Sequence, residues 1–209
     1  AVGASALTAN TTGNRNTAIG RQAAQSITTG HWNTALGSGA MAGSSTITGH
    51  NNIAVGAWYD GVRVGPLASL TSGTFNLAMG AGSLAALTTG YSNIAVGDQT
   101  LQSTTTGYNN TAVGRSALSA NTTGSSNIAI GWSAGSAITT GQANLCIGYT
   151  TGNYQAALTT GTGNVLVGPY CDAVSATAND QHCFGYNLDA ASGYTTLGNG
   201  GNDIRAAFG

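Results

Sequence analysis

A short motif recurs along most of the chain at intervals of about 17 residues, a regularity that is typical of repeat proteins. Its consensus is Thr-Gly-x-x-Asn-x-Ala-Φ-Gly, where Φ is an aliphatic residue or Met. The first glycines of the copies are Gly13, Gly30, Gly49, Gly73, Gly90, Gly107, Gly124, Gly141 and Gly161. Five of the eight intervals between these glycines have the same length, as from Gly90 to Gly107. A constant period of this kind indicates that each unit packs against the next.

One copy of the motif has the residues of two short strands and two corners. Gly107 and Gly114 suit the corners because glycine adopts positive φ at little cost. Residues 110–113 have the alternating pattern of a short strand, and residues 116–118 form a second apolar segment. The repeat therefore predicts an all-β fold, a parallel β-solenoid or β-roll whose coils of about 17 residues stack about 4.8 Å apart.

Two apolar positions of the motif form columns along the predicted solenoid. The aliphatic column is apolar in every copy, so we expect it to be the core. It consists of Ile19, Leu36, Val55, Met79, Val96, Val113, Ile130, Ile147 and Val167. The Ala column precedes it by one residue and consists of Ala18, Ala35, Ala54, Ala78, Ala95, Ala112, Ala129, Cys146 and Leu166. Its small side chains favour a close contact there, which we interpret as neighbouring chains of an oligomer meeting along the rod.

A third position of the motif is asparagine in all nine copies. An asparagine column this regular predicts a structural ladder, in which each amide bonds its neighbour or the backbone of a corner. The ladder consists of Asn16, Asn33, Asn52, Asn76, Asn93, Asn110, Asn127, Asn144 and Asn164.

Charged residues are scarce, and their scarcity excludes several functions. The chain has 5 Lys+Arg and 6 Asp+Glu among 209 residues, which is too little positive charge for nucleic-acid binding. It also has no run of about 18 apolar residues, so we expect no membrane insertion. The three cysteines lack metal-ligand spacing, and we expect no cofactor and no metal. A disulfide between Cys171 and Cys183 stays open.

The charged residues and histidines show no catalytic arrangement, so we expect the protein not to be an enzyme. Asp98 and Arg115 occupy the same position in adjacent copies, which favours a surface ion pair over a catalytic role. His31 and His50 also share a position, which we interpret as an exposed corner rather than a metal site.

The longest departure from the period is an insertion at about residues 57–70, seven residues longer than the repeat requires. It brings aromatic, acidic and basic residues together, and such sets bind sugars by stacking and hydrogen bonding. These candidates are Trp58, Tyr59, Asp60 and Arg63. The competing interpretation is that the aromatic residues fill a gap between coils or contact a neighbouring chain. Further aromatic candidates at corners are Trp32, Tyr91 and Tyr108.

The unit Asn-x-Ala-Φ-Gly-x-x-Ala/Ser resembles the repeat in the head domain of trimeric autotransporter adhesins. The longer form Thr-Thr-Gly-x-x-Asn-Thr-Ala-Φ-Gly-x-x-Ala-Leu is more similar to the repeats of bacteriophage tail-fibre and tailspike shafts. The resemblance covers about residues 1–168. It implies a left-handed parallel β-roll assembled as a homotrimer.

The resemblance implies a structural and receptor-binding segment of a phage tail fibre, a viral protein of the virion. We expect it to serve host attachment by carbohydrate binding to a bacterial cell-surface polysaccharide. The alternative is a bacterial trimeric adhesin head at the cell surface that binds host matrix. A polysaccharide depolymerase ranks lower because carboxylates are few. An ice-binding solenoid also ranks lower, because the threonines are adjacent and neighbouring residues of a strand point to opposite faces.

The period also predicts the division of the chain. Residues 1–168 form the β-roll repeat domain, and residues 169–209 form an irregular C-terminal cap or tip. Residues 172–180 depart from the period, whereas Phe184-Gly185 and Leu197-Gly198 are similar to decayed copies of the motif. Because the chain begins within a coil, at Val2-Gly3, we expect it to be a fragment.

Overall fold

Each copy of the motif contributes one short strand to a single sheet in the computed structural model of the chain, which describes residues 1–43, 45–57, 64–189, 194–199 and 204–207. The nine strands of the motif have three residues each. They are β1 (Thr17–Ile19), β2 (Thr34–Leu36), β3 (Ile53–Val55), β4 (Leu77–Met79), β5 (Ile94–Val96), β6 (Thr111–Val113), β7 (Ile128–Ile130), β8 (Leu145–Ile147) and β9 (Val165–Val167). Three further strands follow, β10 (His182–Tyr186), β11 (Tyr194–Asn199) and β12 (Ile204–Ala207).

The strands follow one another in the sheet in the order of the chain. Strands β1 to β11 pair in parallel, and β12 pairs antiparallel to β11. Equivalent residues of neighbouring copies lie side by side, as Ala112 does with Ala129. This register confirms the parallel β-solenoid and the coil length that the repeat predicts.

The second apolar segment of each coil is not a strand, contrary to the sequence prediction. Residues 115–120 form consecutive turns, in which Ser116 and Leu118 have φ of 59° and 51°. A strand needs negative φ at every residue. The segment still bonds to the next coil, because the backbone N–H of Leu118 donates to the carbonyl of Ala134 at 3.0 Å. Each coil therefore has one strand and one run of turns.

The aliphatic column is not the core, contrary to the expectation from the sequence. In each three-residue strand the middle residue points inward and the two flanking residues point outward. Ala112 is fully buried, whereas Val113 beside it is 37% exposed. Ile19 and Ile130 of the same column are likewise exposed. The Ala column thus faces the interior of its own coil and not a neighbouring chain.

Small strand residues leave space inside the coil for large residues of the turns. The buried cluster combines the alanines of the strands with turn residues such as Leu84, Leu101 and Leu118. Where the Ala column carries the larger Cys146 and Leu166, the neighbouring turn holds glycine. A Cβ on Gly152 would lie 3.3 Å from the Cys146 sulfur and 3.4 Å from Leu166. Large and small residues thus compensate each other from coil to coil, as close packing requires.

The asparagine column forms a continuous ladder that is buried from Asn33 to Asn164. The side-chain oxygen of Asn93 accepts the backbone N–H of Asn110 at 3.1 Å and its amide N–H at 3.1 Å. The amide of Asn110 also donates to the carbonyl of Gly124 at 2.9 Å. The side chain of Asn110 then accepts from Asn127 in the same way. Each amide thus satisfies buried backbone groups at the corner before a strand.

Close approach of the next coil explains why glycine recurs after the strand. Gly114 has φ of 124°, and a Cβ there would lie 2.5 Å from the carbonyl oxygen of Gly131. Both the conformation and the contact exclude a larger residue.

Residues 172–180 do not break the solenoid, contrary to the sequence interpretation. Ala178 occupies the position of the first glycine, one full repeat after Gly161. Gln181 occupies the ladder position, and its backbone N–H donates to the side chain of Asn164 at 3.1 Å. Strand β10 then pairs in register with β9. The parallel sheet therefore runs past residue 168, where the sequence places the domain boundary.

Replacing Asn110 with Ala tests the ladder. The variant leaves the backbone N–H of Asn127 without its buried acceptor and removes one of the two amide donors to the carbonyl of Gly124, the other being Asn121. A buried donor left unpaired costs about 1–3 kcal/mol and a lost hydrogen bond about 1 kcal/mol, so we expect the free energy of unfolding to fall by about 3 kcal/mol. Denaturant unfolding at one protein concentration measures it. The control is Asn14→Ala at an exposed position, where the expected change is below about 0.5 kcal/mol. Equal losses in the two variants would contradict the ladder.

Candidate functional site

Exposed aromatic side chains gather at the two corners that flank the strands. The leading corner lies between each Thr-Gly pair and its strand, and the trailing corner follows the strand. The leading corner carries Trp32, Phe75, Tyr91 and Tyr108, all of them exposed. The trailing corner carries the group that we name the tyrosine cluster, which consists of Trp132, Tyr149, Tyr154, Tyr170 and Tyr186.

The strongest sequence candidates lie outside the described residues. Trp58, Tyr59, Asp60 and Arg63 belong to residues 58–63, so their placement stays a prediction. A cavity of about 320 Å³ adjoins Val64, the first described residue after these positions in the sequence. Its lining includes Gln22, Gln25, Val64 and Ser69.

The structure does not bring Trp32 together with Tyr91 and Tyr108. Trp32 precedes β2, whereas Tyr91 and Tyr108 precede β5 and β6. The Arg15 guanidinium lies 5.2 Å from the centre of the Trp32 ring, and the His31 ring meets Trp32 edge-on at 5.6 Å. Trp32 nevertheless remains 47% exposed.

Tyr91 and Tyr108 stack on each other across one coil spacing. Their ring centres lie 4.9 Å apart and their planes differ by 7°. Each ring therefore covers one face of the other. A stack of this kind stabilises neighbouring coils, and both side chains remain exposed.

The tyrosine cluster begins with the same kind of stack and then departs from it. Trp132 and Tyr149 stack at 4.8 Å with an angle of 15°. Tyr170 is turned by 70° relative to Tyr149 and lies 5.4 Å from it. Tyr186 meets Tyr170 at 5.8 Å and 90°, and Tyr154 meets it at 4.6 Å and 55°. The cluster thus spans four coils with rings in several planes.

The tyrosine cluster is both exposed and polar. Tyr154 and Tyr186 are 53% and 56% exposed, and Trp132 and Tyr149 are nearly as accessible. Desolvation and the neighbouring phenols of Tyr149, Tyr186 and Tyr154 raise the pKa of Tyr170. The phenol groups therefore lie close enough to influence one another.

The sequence candidates include no residue of the tyrosine cluster, and its four tyrosines differ in how visible they are in the sequence. Three of them follow the strand glycines, with Pro169 placing Tyr170 one position later. A search of this column for aromatic residues would have found them. Tyr154 carries no such signal, because it comes from the irregular residues 149–158 between β8 and β9.

A buried carboxylate holds the turn that carries Tyr154. Asp172 is fully buried. Both of its oxygens accept the backbone N–H of Tyr154 at 3.0 Å, and one also accepts that of Gln155. Burial raises the pKa of Asp172, and Asp189 raises it by a smaller amount. The hydrogen bonds from the backbone oppose this shift because they stabilise the charged carboxylate. Asp172 therefore fixes Tyr154 against Tyr170 from within the fold.

The trailing corner also carries the ion pair that the sequence predicts. The Arg115 Nε lies 3.5 Å from a carboxylate oxygen of Asp98. Arg115 precedes Trp132 in this column by one coil. Its side chain is 57% exposed, so the pair contributes little to stability.

Metal-binding groups are not assembled in the described part of the chain. No three His, Cys, Asp or Glu side chains come together there. His31 instead accepts the backbone N–H of Asn14 at 3.1 Å. Cys146, Cys171 and Cys183 are buried free thiols. Within the described residues, no helix is long and apolar enough to cross a membrane.

Comparison of the chain with protein-family models, with curated proteins and with solved structures finds no match.

Replacing Asp172 with Asn tests the buried carboxylate. Because the folded pKa is raised, the folded carboxyl holds its proton more tightly than the unfolded one. The free energy of unfolding of the wild type should then fall as pH rises from about 3.8 through the raised pKa. The variant lacks this contribution, so its free energy should fall less over the same range. Denaturant unfolding between about pH 3 and pH 8 measures both, and identical pH profiles would contradict the assignment.

Proposed function

We propose that the chain is a structural and receptor-binding segment of a phage tail fibre, assembled as a homotrimer of left-handed β-rolls. One observation carries the proposal: from β1 to β9 the outer face of the sheet is uncharged, predominantly aliphatic and at least partly exposed in a single chain. The resemblance of the repeat to tail-fibre shafts supports the same assignment.

The outward face consists of the first and third residues of every strand. Among them Ile94, Ile128 and Ile130 are each about two-fifths exposed. The other members of the face on β1 to β9 are aliphatic residues, Met79 and three threonines, and none is charged. Monomeric proteins rarely expose contiguous apolar patches above a few hundred Å².

A second and a third copy of the same chain are the partners that fit this face. The face repeats at every coil, so an equally periodic surface matches it over the full length. Parallel copies present the same aliphatic columns at the same spacing of about 4.8 Å. Such contacts are also free of the desolvation cost of charges. Closed rotational symmetry then limits the assembly to a defined number of chains.

The assembly explains how a thin coil can serve in attachment. Ten successive coils, from β1 to β10, form a stiff rod of about 45 Å. Three chains would present three copies of each surface site at fixed distances. Weak contacts with a polysaccharide then combine through multivalency, which raises the overall affinity by factors of about 10² or more. The rod itself needs no catalytic group for this role.

The mass of the purified chain in solution tests the assembly first. We expect about three times the chain mass of 20.5 kDa by light scattering. The trimer should also give a gel band that resists detergent until the sample is boiled. A mass of 20.5 kDa at all concentrations would overturn the fibre.

The double variant Ile128→Asp, Ile130→Asp tests the aliphatic face directly. In an isolated chain these exposed positions would tolerate the change at a cost of about 1 kcal/mol. Within an interface they place buried unpaired charges, so we expect dissociation or loss of the folded trimer. The matched control is Thr123→Asp, Thr140→Asp at exposed positions outside the sheet. A variant trimer as stable as the control trimer would contradict the interface.

Binding to whole cells tests the biological role. A fluorescently labelled trimer should bind a subset of bacterial strains and lose binding when surface polysaccharide is removed enzymatically. Binding to immobilised collagen or fibronectin instead of bacteria would favour the head of a bacterial adhesin.

A further inference from the structure

The tyrosine cluster is a local feature that the repeat itself does not require. Its column at the trailing corner holds Arg21, Ser38, Ala81 and Asp98 in earlier coils. The fold therefore tolerates small and charged side chains at this position. Aromatic side chains occupy it after β7, β8 and β10, and after β9 Pro169 places Tyr170 one position later. This local concentration points to a role beyond the stacking of coils.

Two of the rings are the most exposed of the cluster. Among the described side chains, neither Tyr154 nor Tyr186 has a parallel ring stacked on it, because Tyr170 meets both at large angles. Each is more than half exposed. This distinguishes the cluster from the Tyr91–Tyr108 pair, whose rings cover each other.

The turn that carries Tyr154 is organised in advance of any ligand. The buried Asp172 anchors the backbone N–H groups of Tyr154 and Gln155. A ring held in place by the fold loses little conformational entropy on binding. No other described coil has a buried carboxylate at this position, so the anchor is specific to the cluster.

We propose that the tyrosine cluster is the carbohydrate-binding site of this chain, a strip for neutral pyranose units. The apolar C–H faces of the sugars would stack on Tyr154, Tyr186 and the exposed part of Tyr149. The phenol hydroxyls would hydrogen-bond to sugar hydroxyls, as in other binding sites that combine aromatic surface with a few polar groups. This inference rests on the proposed function and locates its receptor contact outside the insertion at residues 57–70.

A neutral sugar fits the cluster better than a second copy of the chain. The aliphatic face that suits a second copy runs along all the strands of the motif and has no aromatic hydroxyl. The cluster is confined to one end of the sheet and is rich in phenols. Arg115 at this corner is paired with Asp98, and the carboxyl group of Asp172 lies beside Tyr154, so the described residues show no excess positive charge that would favour an anionic polymer.

The test uses the full chain on an array of purified bacterial capsular polysaccharides and lipopolysaccharide O-chains. The triple variant Tyr149→Ala, Tyr154→Ala, Tyr186→Ala should bind its best glycan about 100-fold more weakly, since aromatic anchors dominate binding energy. The matched control, Phe75→Ala, removes an exposed aromatic side chain from the leading corner and should bind like the wild type.

A second variant keeps the test valid if the alanine variant misfolds. Tyr149→Phe, Tyr154→Phe, Tyr186→Phe retains the rings and their packing but removes three hydroxyls. We expect it to keep the wild-type mass and to bind about 10-fold more weakly, because sugar hydroxyls lose their partners. Quenching of Trp132 fluorescence by the same glycan, in a background of Trp32→Phe and Trp58→Phe, should saturate with the array affinity.

Three results would overturn the inference, and they separate it from the proposed function. Undiminished glycan binding by both cluster variants moves the site elsewhere and leaves the fibre function intact. A cluster variant that falls from trimer to monomer, with glycan binding unchanged, makes the cluster a contact between copies. A wild type that binds no glycan on the array refutes the glycan receptor as well, while its mass still tests the fibre.

Discussion

Hydrogen bonds between successive coils are the interaction on which the rest of this structure depends. A coil of about 17 residues is too thin to bury its own backbone, so its polar groups must be satisfied by the next coil. The parallel strands do this on one side, and the asparagine ladder does it at the leading corner. Every other feature is placed by the spacing that these bonds impose, including the stacked rings of Tyr91 and Tyr108.

The short strand divides apolar residues between two environments. Its middle residue enters a narrow interior, where alanine faces leucine and where glycine compensates for Leu166. Its flanking residues form an aliphatic outer face. A single chain thus buries the middle residues of its strands and leaves the flanking residues at least partly exposed. We expect assembly of copies to bury the flanking residues. Stiffness and multivalent attachment would then follow from the same hydrogen-bonded stack.

The tyrosine cluster arises where two irregularities of the sequence interrupt the regular stack of coils. Pro169 displaces Tyr170 by one position, and the longer segment before β9 adds Tyr154. These two irregularities turn a ladder of parallel rings into rings at several angles. Asp172 holds the added turn from inside the fold. We therefore expect ligand binding where the sequence departs from the repeat but the hydrogen bonds between coils continue.

The sequence by itself determined the period, the corner glycines and the asparagine ladder, because each is a local requirement repeated at a constant spacing. It did not determine which apolar column is buried, because Ala112 and Val113 are adjacent and a shift of one residue exchanges the faces of a strand. Nor did it reveal the left-handed turns at Ser116 and Leu118, or the ladder position of Gln181, whose residue type differs from the consensus. Only the tertiary structure decided these points. It also placed Trp132 and Tyr186 in one cluster, because stacking of the coils brings residues that are far apart in the sequence to the same corner.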